Sequence, residues 1–347
     1  MVQQIIINNF KCFDALDLEF RPLTILTGTN SSGKSSLIQA ILLSGDHKSG
    51  SDILDYIESM GDFDDIKNRY TNPREYGIEI VFSDDSTQQL KHSKSTLEKD
   101  ENSTRYLSYP SNLTYLNSNR QSINEINNTN NTFNQDRYFG IDGKYIANYY
   151  EKHKEEPIEE YLMQNSSVAT TLEAQVNYWI KAITGQSYEF LTTKATSTIV
   201  QASYRIDGLE FKPNNIGAGI SYIVAIIIAT LSAKKEQIII IENPEIHLHP
   251  QAQSKIGEFL AFVASRGVQI IIETHNDHLI NRLRYEVYHN RIASNEIIIH
   301  YKEKETPFEQ IEIDSKGKFR DKNGENAFPK GFYDATLKEI FEINRGK

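Results

Sequence analysis

The order of apolar and polar positions divides the chain into three textures. From residue 1 to about 82, short apolar runs alternate with one helix-period stretch, as in βαβ folds. Ile5-Ile6-Ile7 and the runs 16–20 and 23–26 each predict a strand, the last leading straight into Gly28. Over 34–43, Leu37, Ile38, Ala40, Ile41 and Leu42 fall on one broad apolar face, which predicts a helix. From about residue 215 the same texture returns. The pattern predicts helices over 220–231, 251–265 and near 278–288, alternating with strands over 237–241, 268–272 and 296–301. Near-continuous isoleucine runs are what strands covered on both faces should carry.

The stretch between differs. Nine asparagines lie between Asn112 and Asn134, mixed with Ser, Thr and Gln. Such composition lacks the apolar area to offset ordering and predicts a mobile loop. Residues 143–150 and 168–183 read as helical, the second carrying the only tryptophan, Trp179. A further helix is expected near the C-terminus. No heptad pattern persists for several turns, so no long coiled-coil arm is expected. The expected organisation is an N-terminal lobe over 1–82, an inserted, partly flexible region over 83–211 (an Asn-rich loop, then helical) and a C-terminal lobe over 212–347. The two α/β lobes are expected to form one core.

Composition narrows the choices. The 347 residues suffice for a large core, and 39% hydrophobic with 24% charged content is ordinary for a globular protein. A formal net charge of -10 argues against a surface built wholly around nucleic acid. Cys12 is the single cysteine, which excludes an internal disulfide. No signal peptide is visible, and the most apolar runs are too short to cross a bilayer, so a cytoplasmic protein without membrane contact is expected.

The strongest chemical signal is Gly28-Thr29-Asn30-Ser31-Ser32-Gly33-Lys34-Ser35, followed by Ser36. It matches GxxxxGK[ST] between a predicted strand and a predicted helix. Phosphate oxygens need converging N–H donors, which a glycine-bearing turn at a helix N-terminus supplies with a favourable dipole. Lys34 would reach the β- and γ-phosphates of ATP, and Ser35 would ligate Mg²⁺. An apolar strand ending in Glu242-Asn243-Pro244-Glu245 has the form of a Walker B segment. Glu242 is expected in the Mg²⁺ shell and Glu245 near an attacking water. Ile270-Ile271-Ile272-Glu273-Thr274-His275 then ends a strand on a histidine able to exchange a hydrogen bond with a γ-phosphate. His247 and His249 have no further ligands nearby and are not read as a metal site.

The order of these segments, with Gly217-Ala218-Gly219-Ile220-Ser221 before the Walker B strand and Leu248-His249-Pro250 after it, resembles the ABC-type ATPase head. Within that class it is similar to the OLD-like bacterial ATPases, whose opening strand Asn9-Phe10-Lys11-Cys12-Phe13 resembles. Residues 242–250, 219–222 and 331–334 resemble a branch with a shared C-terminal domain of unknown function. The resemblance implies an α/β P-loop NTPase fold and an ATPase that dimerises head-to-tail, as a homodimer or higher even oligomer. Gly217, Gly219 and Ser221 match the signature position that caps the γ-phosphate of the opposing subunit. Lys11 matches a basic position that can touch nucleotide phosphates. One departure stands out: Asn243 follows the Walker B acid where these ATPases usually carry a catalytic glutamate. Either Glu245 takes over or hydrolysis is slow. The resemblance further implies a separate effector, a nuclease or toxin, in defence against phage. The alternative is a RecF- or SMC-like clamp that binds DNA across its ATP dimer. A transporter ATPase fits less well, because no transporter signature sequence is recognised.

Overall fold

The computed structural model describes residues 1–99, 105–129, 137–165 and 167–327. The chain begins with strands β1 (Val2–Phe10), β2 (Phe13–Glu19) and β3 (Leu23–Gly28). Helices α1 (Lys34–Ser44), α2 (Asp52–Glu58) and α3 (Phe63–Ile66) follow, then β4 (Glu75–Phe82), β5 (Thr87–Ser93) and β6 (Leu97–Lys99). The centre holds β7 (Leu113–Leu116), β8 (Ile126–Asn128), α4 (Ile146–His153), α5 (Leu172–Thr184), β9 (Glu189–Lys194), β10 (Ile199–Ile206) and β11 (Leu209–Phe211). The last third runs α6 (Ala218–Leu231), β12 (Ile238–Glu242), α7 (Pro250–Ser265), β13 (Gln269–Glu273), α8 (Asp277–Tyr288), β14 (Ile297–Lys302), β15 (Glu309–Ile313) and β16 (Phe319–Asp321).

A seven-stranded sheet in the order β16-β15-β14-β3-β13-β12-β7 forms the centre. Its strands from β14 to β7 are parallel, and β15 and β16 extend one edge antiparallel. Alternation of side chains explains the isoleucine runs. Ile239 and Ile241 join a core with α4 to α8, whereas Ile238 and Ile240 join a second core with α1 and the first strands. The sheet is therefore buried on both faces. A five-stranded antiparallel sheet, β2-β1-β4-β5-β6, covers the second face. A small sheet built on β10, which pairs with β8, β9 and β11, contributes Phe190, Val200 and Tyr204 to the first core.

Two expectations are corrected. The Asn-rich stretch is not simply a loop. Leu113, Thr114, Tyr115 and Leu116 are buried as β7 and pair with Ile238 to Ile241, because four residues of strand-forming character sit inside a polar average. Residues 130–136 of that stretch lie outside the described residues. The region 83–211 holds the two expected helices as α4 and α5, but it also carries strands: β5 and β6 extend the outer sheet, β7 the central one, and Trp179 of α5 packs on Phe259 and Phe262 of α7. The expected C-terminal helix and the 331–334 segment also lie outside the described residues.

Candidate nucleotide site

The turn after β3 is shaped by two glycines. Gly28 has φ 131°, and a Cβ there would lie 2.0 Å from the Lys302 carbonyl oxygen at the end of β14. Gly33 has φ 109°, and a Cβ would meet Cys12 Sγ at 2.6 Å. Only a residue without Cβ fits either position. The turn then opens α1 at Lys34, whose Nζ donates to the Thr29 carbonyl at 2.7 Å and the Gly28 carbonyl at 3.3 Å. Burial lowers the Lys34 pKa. Residues 30–36 bound a cleft of about 360 Å³ with Cys12, Glu273 and His275. Its volume falls in the range of small-molecule sites.

Carboxylates reach this cleft through sheet register. β13 lies between β3 and β12, and Glu242 pairs with Glu273 across the two parallel strands. Ser35 Oγ donates to the Glu273 carboxylate at 3.2 and 3.3 Å. Burial and then the neighbouring Glu242 push the Glu273 carboxyl up to about 7. Glu242 is held from the other side, accepting from Tyr115 Oη at 2.8 Å and the Ser118 N–H at 3.0 Å. Arg120 fixes the turn that follows by donating to the carbonyls of Glu242 at 2.5 Å and Asn243 at 2.6 Å. Its own pKa is drawn down by burial to about 10, so it stays charged at neutral pH.

Asn243 has φ 43° and donates its main-chain N–H to the Glu273 carbonyl at 2.7 Å. Glu245 accepts from Thr274 Oγ1 at 2.8 Å, while its Oε2 is buried without a partner. Burial raises the Glu245 pKa. His275 is exposed at the cleft, and partial burial followed by the Lys34 charge lowers its pKa.

The fold thus gathers Asn30, Ser31, Ser32, Gly33, Lys34, Ser35, Ser36 and His275 at one cleft, with Gly28 and Thr29 at its base. Glu242, Asn243 and Glu245 stand at the adjoining strand end. Lys11 has φ 48° and donates to Gln39 Oε1 of α1 at 2.6 Å, next to the cleft-lining Cys12. Gly219 and Ser221 do not line the cleft. A Cβ on Gly219 would lie 2.5 Å from the His247 carbonyl oxygen, so this glycine lets α6 pack on the loop after β12. Ser221, matched to the signature position, is 2% exposed and lies 3.3 Å from Tyr204 Oη on α6, which is buried around most of its circumference. His249 caps α7, and His247 stacks on Tyr222. Asp62 and Asp65 form a capping box at α3.

Four further residues join the site without having been singled out: Glu273, Tyr115, Ser118 and Arg120. Glu273 had a signal, since it ends its isoleucine strand as Glu242 ends the other. The remaining three were hidden in the asparagine-rich composition.

Residues 23–281 match the family described as "AAA domain, putative AbiEii toxin, Type IV TA system". The chain belongs to this AAA family. Its fold is similar to the SMC head domain of Thermotoga maritima, at TM-score 0.50 and 14% identity over 86% of this chain and 94% of that one. An Smc head bound to the C-winged helix domain of ScpA gives TM-score 0.56 at 11% identity, over 90% of this chain and 97% of that one. A Pyrococcus furiosus Smc head, with an extended coiled coil and bound to the C-terminal domain of ScpA, gives 0.55 at 10%, over 98% and 99%. No curated protein matches the chain. The AAA family and the shared head fold make the chain a P-loop ATPase of the ABC/SMC-head type, a fold that implies ATP with Mg²⁺. Among the described residues, no helix is long and apolar enough to cross a membrane.

The donor set suits Mg²⁺, which takes hard oxygen ligands, commonly one or two carboxylates with substrate phosphates. Ser35 and a strand-end carboxylate supply such oxygens. No group of three or more His, Cys, Asp or Glu among the described residues could hold a metal ion. Bound Mg²⁺ would neutralise phosphate charge, while the loop amides and Lys34 hold the phosphates and the carboxylates orient water.

Proposed function

We propose that the chain binds and slowly hydrolyses ATP, dimerises head-to-tail around it, and uses that cycle to control a separate effector in prokaryotic antiviral defence, as in OLD-like ATPases. The observation that carries the reading is the convergence of Lys34, Ser35, Glu273 and His275 on one cleft, with Glu242 paired to Glu273 on the adjoining strand end. The N-terminus of α6 supports a dimer. It is exposed at Gly217, carries no side-chain cap and lies outside its own chain's cleft, so a phosphate that it caps belongs to another subunit. The family description, "putative AbiEii toxin, Type IV TA system", supports a link to toxin biology.

A second reading, an SMC- or RecF-like clamp on DNA, is favoured by the likeness to SMC heads. One set of measurements separates them. Lys34→Ala should abolish ATP binding by calorimetry, and unchanged affinity would sink the site assignment. A pull-down with and without ATP should recover a protein effector. A DNA affinity that appears only with ATP and falls steeply with salt would instead favour the clamp.

A further inference from the structure

We propose that Glu273, the last residue of β13, is the protein carboxylate that faces Mg²⁺ beside Ser35, and that Glu242 acts as the anchor of the loop after β7. The assignment rests on the ATP reading above and moves the metal-facing role from the Walker B strand to its neighbour. Sheet order comes first. β13 lies directly beside β3, the strand that feeds the phosphate loop, whereas β12 is one strand farther away. Glu273 consequently lines the cleft with residues 30–36, and Glu242 does not.

Hydrogen bonding separates the two acids further. Both oxygens of Glu273 lie within reach of Ser35 Oγ, at 3.2 and 3.3 Å. The serine expected to ligate the metal is therefore already paired with this carboxylate. Each oxygen of Glu242 is committed elsewhere, Oε1 to Tyr115 Oη and Oε2 to the Ser118 N–H, both contributed by the β7 side of the sheet. Turning Glu242 toward a metal beside Ser35 would lengthen or break these two hydrogen bonds, one of them buried, which is costly. Freeing Glu273 costs only one longer contact to a hydroxyl that can itself turn to the metal. Charge agrees with geometry, since two acids on adjacent strand ends repel and a dication beside one of them relieves both.

The test is calorimetric titration of the full chain with ATP, in Mg²⁺ and in EDTA, reading the ratio of the two affinities. Wild type should show tighter binding with Mg²⁺. Glu273→Gln should lower that ratio by about tenfold or more, Glu273→Asp should restore part of it, and Glu242→Gln should keep most of it. Mn²⁺ bound with ATP, followed by electron paramagnetic resonance, should be lost in Glu273→Gln and retained in Glu242→Gln. Thermal melts identify any variant that fails to fold, and Glu273→Asp then carries the comparison. A wild-type ratio in both Glu273 variants, or losses as large in Glu242→Gln, overturns the assignment while leaving the ATP reading intact. A wild-type chain that binds no ATP overturns both.

Discussion

His300 shows how one buried residue sets a pH response. It is fully buried on β14, with one ring nitrogen, Nε2, hydrogen-bonded to the Glu19 carbonyl at 2.7 Å and the other, Nδ1, without a partner. Protonation would bury a charge and an unpaired N–H, and burial accordingly pushes the pKa down to about 4. Between about 6.5 and that value the unfolded chain takes up a proton that the folded chain refuses. The His300 contribution to stability is therefore full above pH 6.5 and declines as pH falls toward 4, by roughly 3 kcal/mol in all. Urea midpoints at pH 7 and pH 5 should drop less in His300→Gln than in wild type, and equal drops would refute the assignment. Under the proposed function, a different pair competes for the attacking water. Asn243 serves the site through its main chain, accepting from Arg120 and donating to Glu273, in a left-handed conformation that glycine also adopts. Glu245 offers a carboxylate whose Oε2 has no partner. Glu245→Gln should therefore slow ATP turnover about 10²-fold or more, with Asn243→Gly changing it far less. Steady-state phosphate release decides between them, and the reverse ranking would give the water to Asn243.

At the scale of elements, legibility followed local contrast. The isoleucine strands β12 and β13 and the helix-period run of α1 stood out because each fills a whole element with one pattern. The same contrast exposed the phosphate loop and Glu242 with Glu245 just beyond it, whereas Glu273 was passed over beside His275. β7 did not stand out, since four residues give too short a period to outweigh the asparagines around them, and its place at the sheet edge depends on pairing with β12, far away in sequence. Tyr115, Ser118 and Arg120 were lost with it. The glycines before α6 were legible as a pattern but not as a division of labour. Gly217 has open space where a Cβ would go, whereas a Cβ on Gly219 would lie 2.5 Å from the main chain of His247. Gly219→Ala should therefore push α6 off the loop after β12 and cost about 1–3 kcal/mol. Gly217→Ala should change stability by about 0.5 kcal/mol or less. Chemical denaturation of the two variants checks this, and similar losses in both would mean that the helix, not its packing, sets the cost.

For the whole molecule, the question is whether one chain can complete its own site. The cleft holds donors for the phosphates on the loop side, while the open end of α6 faces elsewhere. Two 39.8 kDa chains related by a twofold axis can supply each other's missing donors, an isologous arrangement that closes at two and leaves both sites filled. In the proposed dimer ATP would form part of the interface, and departure of the γ-phosphate would loosen the pair. Gly217→Asp separates this idea from a general effect on folding. Gly217 has φ −55° and ψ 132°, a conformation that aspartate adopts readily at a helix N-cap. A carboxylate there satisfies the uncapped N–H groups and complements the helix dipole, so the variant should be as stable as wild type or more so. The same negative charge would stand where the partner's phosphate must come. Light scattering after size exclusion should show the chain carrying Glu245→Gln alone, in which turnover is slowed, doubling its mass with ATP and Mg²⁺. With Gly217→Asp added, the chain should stay at monomer mass while still binding ATP. A Gly217→Asp protein that dimerises as before would mean that α6 does not face the opposing nucleotide.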